Sequence, residues 1–184
     1  MNRGQYCRVS VALVLMACAA LSPAASAQDT VRVVVGSASG LPGESVTLPL
    51  QYESDGASAS VLLFDIVYDV AALDFESVEG GPILVAANKQ IIFNEFEPGQ
   101  ITFLVLEISG KGTSAPLESG QLAELNLIIS ASATEGTVSN ITTNVGENSA
   151  ADPAAISLNL DFVDGSVVIE TLPGEGEGEG EGEG

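Results

Sequence analysis

Turn-forming residues recur along the chain and divide it into short segments rich in Val, Ile, Leu, Thr and Phe. Breaks come about every eight to fifteen positions, which is the spacing of strands in a β-sandwich. The Ala-rich pieces at 71–73 and 150–155 are too short or too interrupted to nucleate a helix alone. The sequence therefore predicts an all-β sandwich with little helix.

The predicted strands lie between clear turn signals, such as Pro98-Gly99 and Asp164-Gly165. Pro49 falls inside the second strand and predicts that this strand is at a sheet edge or carries a bulge, because proline cannot donate to a ladder. We predict strands at 31–36, 45–52, 60–68, 73–79, 83–86, 90–94, 100–108, 121–130, 137–144, 156–161 and 165–170.

Both ends of the chain differ from the middle. Residues 1–27 are typical of a signal peptide, with Arg3 and Arg8 before an apolar run and small residues at 25–27. A lipidated Cys18 is the alternative. Residues 173–184 alternate Gly and Glu after Pro173 and are expected to form a disordered, extended tail. This leaves 28–172 as one exported domain, at the cell surface, in the medium or in the periplasm. No segment is long and apolar enough to predict a membrane span.

The side chains that carry most nucleophilic and metal chemistry are missing from the predicted domain. The sequence has no His, and both cysteines, Cys7 and Cys18, lie in the signal segment. This argues against thiolate zinc sites, imidazole bases and Cys or Ser-His nucleophiles. A glycosidase would need paired carboxylates in a cleft, which nothing in the sequence indicates. A calcium site at Asp152, Asp161 and Asp164 is less expected than simple loop capping. We predict no enzyme activity, catalytic residue, cofactor or metal.

Charge narrows the choice of partners. The chain has 5 basic and 25 acidic residues, a formal net charge of −20. Removal of the signal would leave Arg32, Lys89 and Lys111 as the basic residues. Such a chain is repelled by phosphate backbones and anionic lipids. Nucleic acid is excluded as a partner, while proteins, cations and neutral glycans stay open.

Several motifs occur in an order that resembles a cohesin module. They begin with Val33-Val34-Val35-Gly36 and the run from Gly40 to Leu50, GLPGESVTLPL. Phe64 to Asp69, FDIVYD, follows, with Leu73 four residues on; further matches are 101–109, 120–125 and the closing 162–167, FVDGSV. Val70 replaces the proline that usually follows the family's Tyr-Asp pair, and no dockerin or enzyme domain is attached.

The resemblance covers about residues 31–170 and implies a nine-stranded jelly-roll β-sandwich, a fold also found in certain carbohydrate-binding modules. It further implies a dockerin-like partner that carries its own calcium and docks on a sheet face. A role in extracellular polysaccharide-degrading assemblies would follow.

Alternation within two predicted strands indicates which residues would form the sheet face that contacts the partner. In 60–68, Phe64 and Tyr68 lie on the face that the resemblance assigns to the core, which turns Val61, Leu63, Asp65 and Val67 outward. In 100–108 both faces are apolar, and the resemblance places Leu104 and Leu106 at partner-contact positions with Glu107 near the rim. The predicted partner-binding residues are Val61, Leu63, Asp65, Leu104, Leu106 and Glu107.

Alternatives to partner binding stay open for this apolar outward face. A loop could cover it, or a homodimer could bury it. Direct glycan binding is the main functional alternative, but the chain has no Trp to stack on sugar rings. A structural domain of a surface protein is the third possibility.

Overall fold

Most of the predicted strands are present in the computed structural model, which describes residues 29–108, 115–143 and 148–172. The predicted signal peptide and tail lie outside these residues. One short helix, α1 (Pro82–Ala86), occurs among them. The strands are β1 (Thr30–Val35), β2 (Ser37–Gly40), β3 (Ser45–Ser54), β4 (Val61–Val67), β5 (Leu73–Gly80), β6 (Lys89–Glu97), β7 (Gln100–Glu107), β8 (Gly120–Ile129), β9 (Val138–Ile141), β10 (Ser149–Ala151), β11 (Ser157–Val163) and β12 (Gly165–Ile169).

Nine of these strands form one continuous sheet in the order β5-β8-β3-β1-β11-β10-β4-β7-β6. The sheet folds over, so that β5-β8-β3-β1 faces β11-β10-β4-β7-β6 across the core. The two terminal strands meet where the ring of Phe75 on β5 packs edge-on against Phe93 on β6, with centroids 5.7 Å apart. Strands β2, β12 and β9 form a small second sheet. The predicted nine-stranded jelly-roll sandwich is confirmed.

Two parallel stretches of chain run side by side through both sheets. β1 pairs in parallel with β11, and β2 pairs in parallel with β12. Both stretches change sheets at the same level, where Gly165 lies directly against the carbonyl of Gly36. A Cβ at position 165 would overlap that carbonyl oxygen, so the crossing needs glycine there. Asp164-Gly165, predicted as a turn, is this crossing point.

The core lies between the two layers and is built from the alternate residues of each strand. Leu62, Phe64 and Ile66 of β4 are fully buried, as are Ile101 and Phe103 of β7. The rings of Phe64 and Phe103 stack with centroids 5.0 Å apart. Burying side chains of this size contributes about 1.5 to 3 kcal/mol each. The Phe64 face of β4 is therefore the core face, as predicted.

A tyrosine and a glutamate close one end of this core. The hydroxyl of Tyr68 donates to Oε1 of Glu95 at 2.6 Å, and the same oxygen accepts the N–H of Gly99 at 3.2 Å. Burial raises the pKa of Tyr68 to about 12, and the hydrogen bond to Glu95 and its negative charge add to the shift. The phenol stays protonated and keeps this bond at physiological pH.

The predicted strand at 83–86 is wrong, because these residues belong to α1. Pro82 occupies the first turn, where its missing N–H costs no bond and its fixed φ suits a helix. The helix buries Leu84 and ends at Ala87, followed by Asn88 with φ of 55°. An apolar run of four residues after Gly-Pro fits one helical turn as well as a strand, so periodicity could not decide.

The short strands β2 and β10 are absent from the sequence prediction. Their sequences, SASG and SAA, consist of small residues with low strand propensity. Backbone pairing with β12 in one case, and with β4 and β11 in the other, holds them in place. Propensity alone could not find them.

Pro49 lies within an inner strand and not at a sheet edge. Its strand, β3, lies between β1 and β8, and the β3–β8 register shifts between Leu50 and Gln51. The carbonyl of Pro49 accepts the N–H of Gly36 at 2.8 Å. Since the N–H and C=O of one strand residue point to the same side, the missing donor faces Gly36 and removes no bond to β8. The extra residue at the register shift is Leu122 of β8, so β3 neither lies at an edge nor carries the bulge, and both predicted alternatives were wrong.

Candidate functional site

The outward face of β10, β4, β7 and β6 carries a block of apolar side chains, which we call the apolar face. Strand pairing sets Leu63 beside Leu104, and Leu104 beside Ile92. Neighbouring side chains on one face of an antiparallel pair lie about 4.5 to 5.5 Å apart at Cβ. Three apolar side chains from three strands therefore form one row across the sheet.

Val61 and Leu106 enlarge this row towards one end of the strands. Both belong to the same side as Leu63 and Leu104 by alternation. Val61 is 40% exposed and Ile92 47% exposed, while Leu63, Leu104 and Leu106 are half-buried by their neighbours. Five aliphatic residues facing solvent on adjacent strands are typical of an interaction surface. The apolar face consists of Val61, Leu63, Ile92, Leu104 and Leu106.

Ile92 is not among the site residues that the sequence predicts. The strand at 90–94 is predicted, and alternation within it puts Ile92 on one side with Gln90 and Asn94. The turn at Pro98-Gly99 indicates that β6 and β7 are neighbours, but the register shift between Glu95 and Glu97, which decides which residues pair, has no such signal in the sequence. Only that pairing puts Ile92 next to Leu104.

Polar side chains follow at the other end of the same strands. Asp65 pairs with Thr102, which pairs with Asn94, and the next row holds Val67, Gln100 and Glu97. Thr102 and Gln100 are half-buried, and Asn94 and Glu97 are exposed. An apolar block bordered by amides, a hydroxyl and a carboxylate matches the general anatomy of a protein interface.

Asp65 is at the centre of a hydrogen-bond network. It is only 2% exposed, and its Oδ2 accepts Nε2–H of Gln100 at 2.7 Å. Its backbone N–H donates to Oδ1 of Asn148 at 3.1 Å, and its carbonyl accepts the hydroxyl of Thr143 at 2.8 Å. Asn148 also donates to Thr143. The carboxylate thus orients Gln100, and the backbone fastens residues 143 and 148 to β4.

Glu107 lies on the opposite side of β7 from Leu104 and Leu106. It pairs with Lys89, which is buried and donates to Oγ of Ser60 at 3.2 Å. Burial lowers the pKa of Lys89, and the negative charge of Glu107 partly opposes this effect. Glu107 therefore belongs to the polar closure of the core at this end. This position differs from the rim position that the resemblance implied.

The outward face of the other layer is mostly polar, and its polar side chains hydrogen-bond to one another. Thr47 donates to Oδ1 of Asn126 at 2.6 Å, and Asn126 donates to Oγ of Ser77 at 3.0 Å. Arg32 forms an ion pair with Glu53 at 3.3 Å. The two outer faces of the sandwich are therefore unlike, and the apolar one is suited to burying against another molecule.

The acidic side chains of this part of the chain do not gather into a metal site. Within 29–108, 115–143 and 148–172, no three His, Cys, Asp or Glu side chains are close enough to share a metal ion. No helix in these ranges is long and apolar enough to cross a membrane. Asp152 accepts the N–H groups of Ala154 and Ile156, both at 2.8 Å, which is the loop capping expected of it.

The model of the cohesin domain family matches residues 31–169. The chain belongs to the cohesin family. This match spans every strand from β1 to β12, so the whole sandwich is one cohesin domain. No curated protein matches the chain.

Solved cohesin structures share the fold of this cohesin. The seventh ScaB type I cohesin of Pseudobacteroides cellulosolvens has 24% identity and a TM-score of 0.65, covering 80% of this chain and 97% of its own. An OlpC cohesin of Clostridium thermocellum, solved with a dockerin, has 24% identity and a TM-score of 0.65, with coverage of 78% and 96%. A non-cellulosomal cohesin of Archaeoglobus fulgidus has 16% identity and a TM-score of 0.62, with coverage of 77% and 92%.

Proposed function

We propose that this cohesin is an exported, non-catalytic module that binds a dockerin-type protein through the apolar face. The observation that carries the proposal is the contrast between the two outer sheet faces. One presents Leu63, Leu104 and Ile92 in a row, and the other is mostly polar and internally hydrogen-bonded. Membership of the cohesin family and the existence of a related cohesin–dockerin complex support the choice of partner.

In this proposal the apolar face is the desolvated centre of the interface. Central, well-packed side chains carry most of the binding energy in protein complexes, while polar residues around them exclude water. Gln100, Thr102 and Asn94 are positioned to provide such polar groups. Asp65 contributes by holding Gln100, and Glu107 contributes by closing the core beneath the face together with Lys89.

The setting of the module belongs to the proposal as well. We propose secretion through the signal peptide at 1–27 and a place in extracellular assemblies that degrade polysaccharides. The partner is expected to carry the calcium ion, so that capture depends on calcium. Residues 173–184 would add negative charge beyond the domain.

The test is a capture experiment with the full processed chain immobilised and the secreted proteins of its own source as the sample. Capture of a protein that contains a dockerin, identified by mass spectrometry and lost with chelator, is the expected result. Retention of the chain on insoluble polysaccharide without any such capture would favour the carbohydrate-binding alternative. Failure of both assays would contradict the proposal and leave a structural domain.

Paired variants locate the interface. Leu63→Ala with Leu104→Ala removes the middle of the apolar face, and we expect affinity for the captured partner to fall at least about tenfold, which is about 1.4 kcal/mol. Val34→Ala with Ile128→Ala is the matched control, because both residues are half-buried on the other outer face. Titration calorimetry gives the affinities, and circular dichroism checks that each variant folds. Equal losses from both pairs would contradict this placement.

A further inference from the structure

Strand β6 ends the nine-stranded sheet, and most of it is open to solvent. α1 packs against β6 near its start, where Lys89 is buried. From Ile92 to Glu97, six consecutive residues are exposed. A strand that only covers a core would hide every second side chain. Side chains on both faces of this segment are exposed, and among the described strands β6 pairs with β7 alone.

The exposed segment is unusually apolar for a sheet edge. Phe96 stands at the β6–β7 bulge and is 76% exposed. Phe93, on the inward side, is still 38% exposed, although it touches Phe75. Unpaired N–H and C=O groups along a terminal strand form a template for another strand. The segment thus offers a backbone edge and aromatic side chains at the same place.

Carboxylates border this edge. Glu97 is exposed on β6, and Glu76 is exposed on β5 next to Phe75, whose ring touches Phe93. Two basic residues occur in the described part of the chain, and both lie away from these carboxylates. Arg32 pairs with Glu53 on the other layer, and Lys89 is buried at the start of β6.

We propose that residues 92–97 form a second binding surface, which accepts an extended peptide segment with alternating basic and apolar side chains. Strand addition would supply the backbone hydrogen bonds. Apolar side chains of the peptide would pack on Phe93 and Phe96, and its cations would meet Glu97 and Glu76. Lys or Arg over the face of Phe96 adds a cation–π interaction. A second copy of this chain is a poor occupant, because its formal net charge is also −20.

The probe is a blocked eight-residue peptide of alternating Lys and Val, and the control peptide has Glu in place of Lys. Both are titrated into the ¹⁵N-labelled full chain. The Lys peptide is expected to shift the amide signals of residues 92–97 and slow their hydrogen exchange, with affinity that falls as salt rises. Shifts spread over the acidic surface, shifts centred on Leu63 and Leu104, or equal binding of the Glu peptide would overturn the proposal.

Variants separate this surface from the apolar face. Phe96→Ala with Glu97→Gln changes exposed side chains, and we expect affinity for the Lys peptide to fall about fivefold or more. Leu172→Ala with Glu135→Gln is the matched control, because it changes one exposed apolar and one exposed acidic residue elsewhere. This pair should leave the affinity for the Lys peptide unchanged. Leu63 lies on β4, with β7 between it and β6, so Leu63→Ala should also leave the peptide affinity unchanged. The dockerin proposal can therefore fail without affecting this one. The free chain could instead sediment as a dimer that becomes monomeric when Phe96 and Glu97 are substituted. This result would overturn the proposal, because β6 would then pair with a second copy of the chain.

Discussion

Tyr68 combines a structural role with a titratable group that can be followed. It is buried, its hydroxyl donates to Glu95, and its side chain lies where β4 leaves the core. Its pKa of about 12 in the folded chain lies above the ordinary value of 10.0. A group that holds its proton more tightly when folded stabilises the protein until the unfolded chain begins to lose that proton. This stabilisation is complete below about pH 10 and is lost as pH rises towards 12.

Tyr68→Phe is expected to cost about 1 kcal/mol at pH 8, because a hydrogen bond is removed. Above pH 10, wild type should lose up to about 2 to 3 kcal/mol that the variant does not lose. Urea unfolding at pH 8, 10 and 11 measures both effects. Glu95→Gln keeps an acceptor and removes the charge, so its alkaline loss should be intermediate. Parallel pH profiles for wild type and Tyr68→Phe would contradict the assigned cause.

At the scale of elements, alternation predicted which side chains of one strand share a face. Pairing between strands determined which of these side chains become neighbours. The parity of β4 put Phe64 and Leu63 on opposite faces, and the resemblance correctly assigned the Phe64 face to the core. The parity of β7 also grouped Glu107 with Phe103 and Val105, and its rim position came from the resemblance instead. Ile92 pairs with Leu104 only because the β6–β7 register shifts between Glu95 and Glu97, and this bulge has no local sequence signal. The candidate site was therefore predictable strand by strand but not across strands.

The crossing of the two parallel stretches gives a prediction at the same scale. Gly165→Ala should destabilise the fold by about 3 kcal/mol or more, because the new methyl group overlaps the carbonyl of Gly36. Gly56→Ala is the control: φ there is 83° but nothing lies near the added Cβ, so only about 1 kcal/mol should be lost. Thermal and urea unfolding compare the two. Similar losses would mean that backbone conformation, and not the close approach, requires Gly165.

For the molecule as a whole, the sequence predicted the all-β class, one domain and most of the strands. The family resemblance added the jelly-roll arrangement, which composition and periodicity cannot give. Closing a nine-stranded sheet on itself depends on contacts between residues far apart in sequence, such as Phe75 with Phe93. The polar closures at the two ends of the core, Tyr68 with Glu95 and Lys89 with Glu107, depend on the same long-range pairing. These features had to come from the three-dimensional structure.

The paired parallel stretches also determine how the domain would bear a mechanical load. The chain enters the domain through β1 at one end and leaves it through β12 at the other. β1 continues into β2, and β2 runs parallel to β12. Tension on the two ends would slide these strands along each other, so all their hydrogen bonds would resist at once and none could open singly. Pulling one molecule from its ends should therefore need a higher force than pulling between Gly99 and the C-terminal end, where the β6–β7 hairpin can peel. Equal rupture forces would contradict this. A domain built this way can hold a partner on its side while it carries tension along its length.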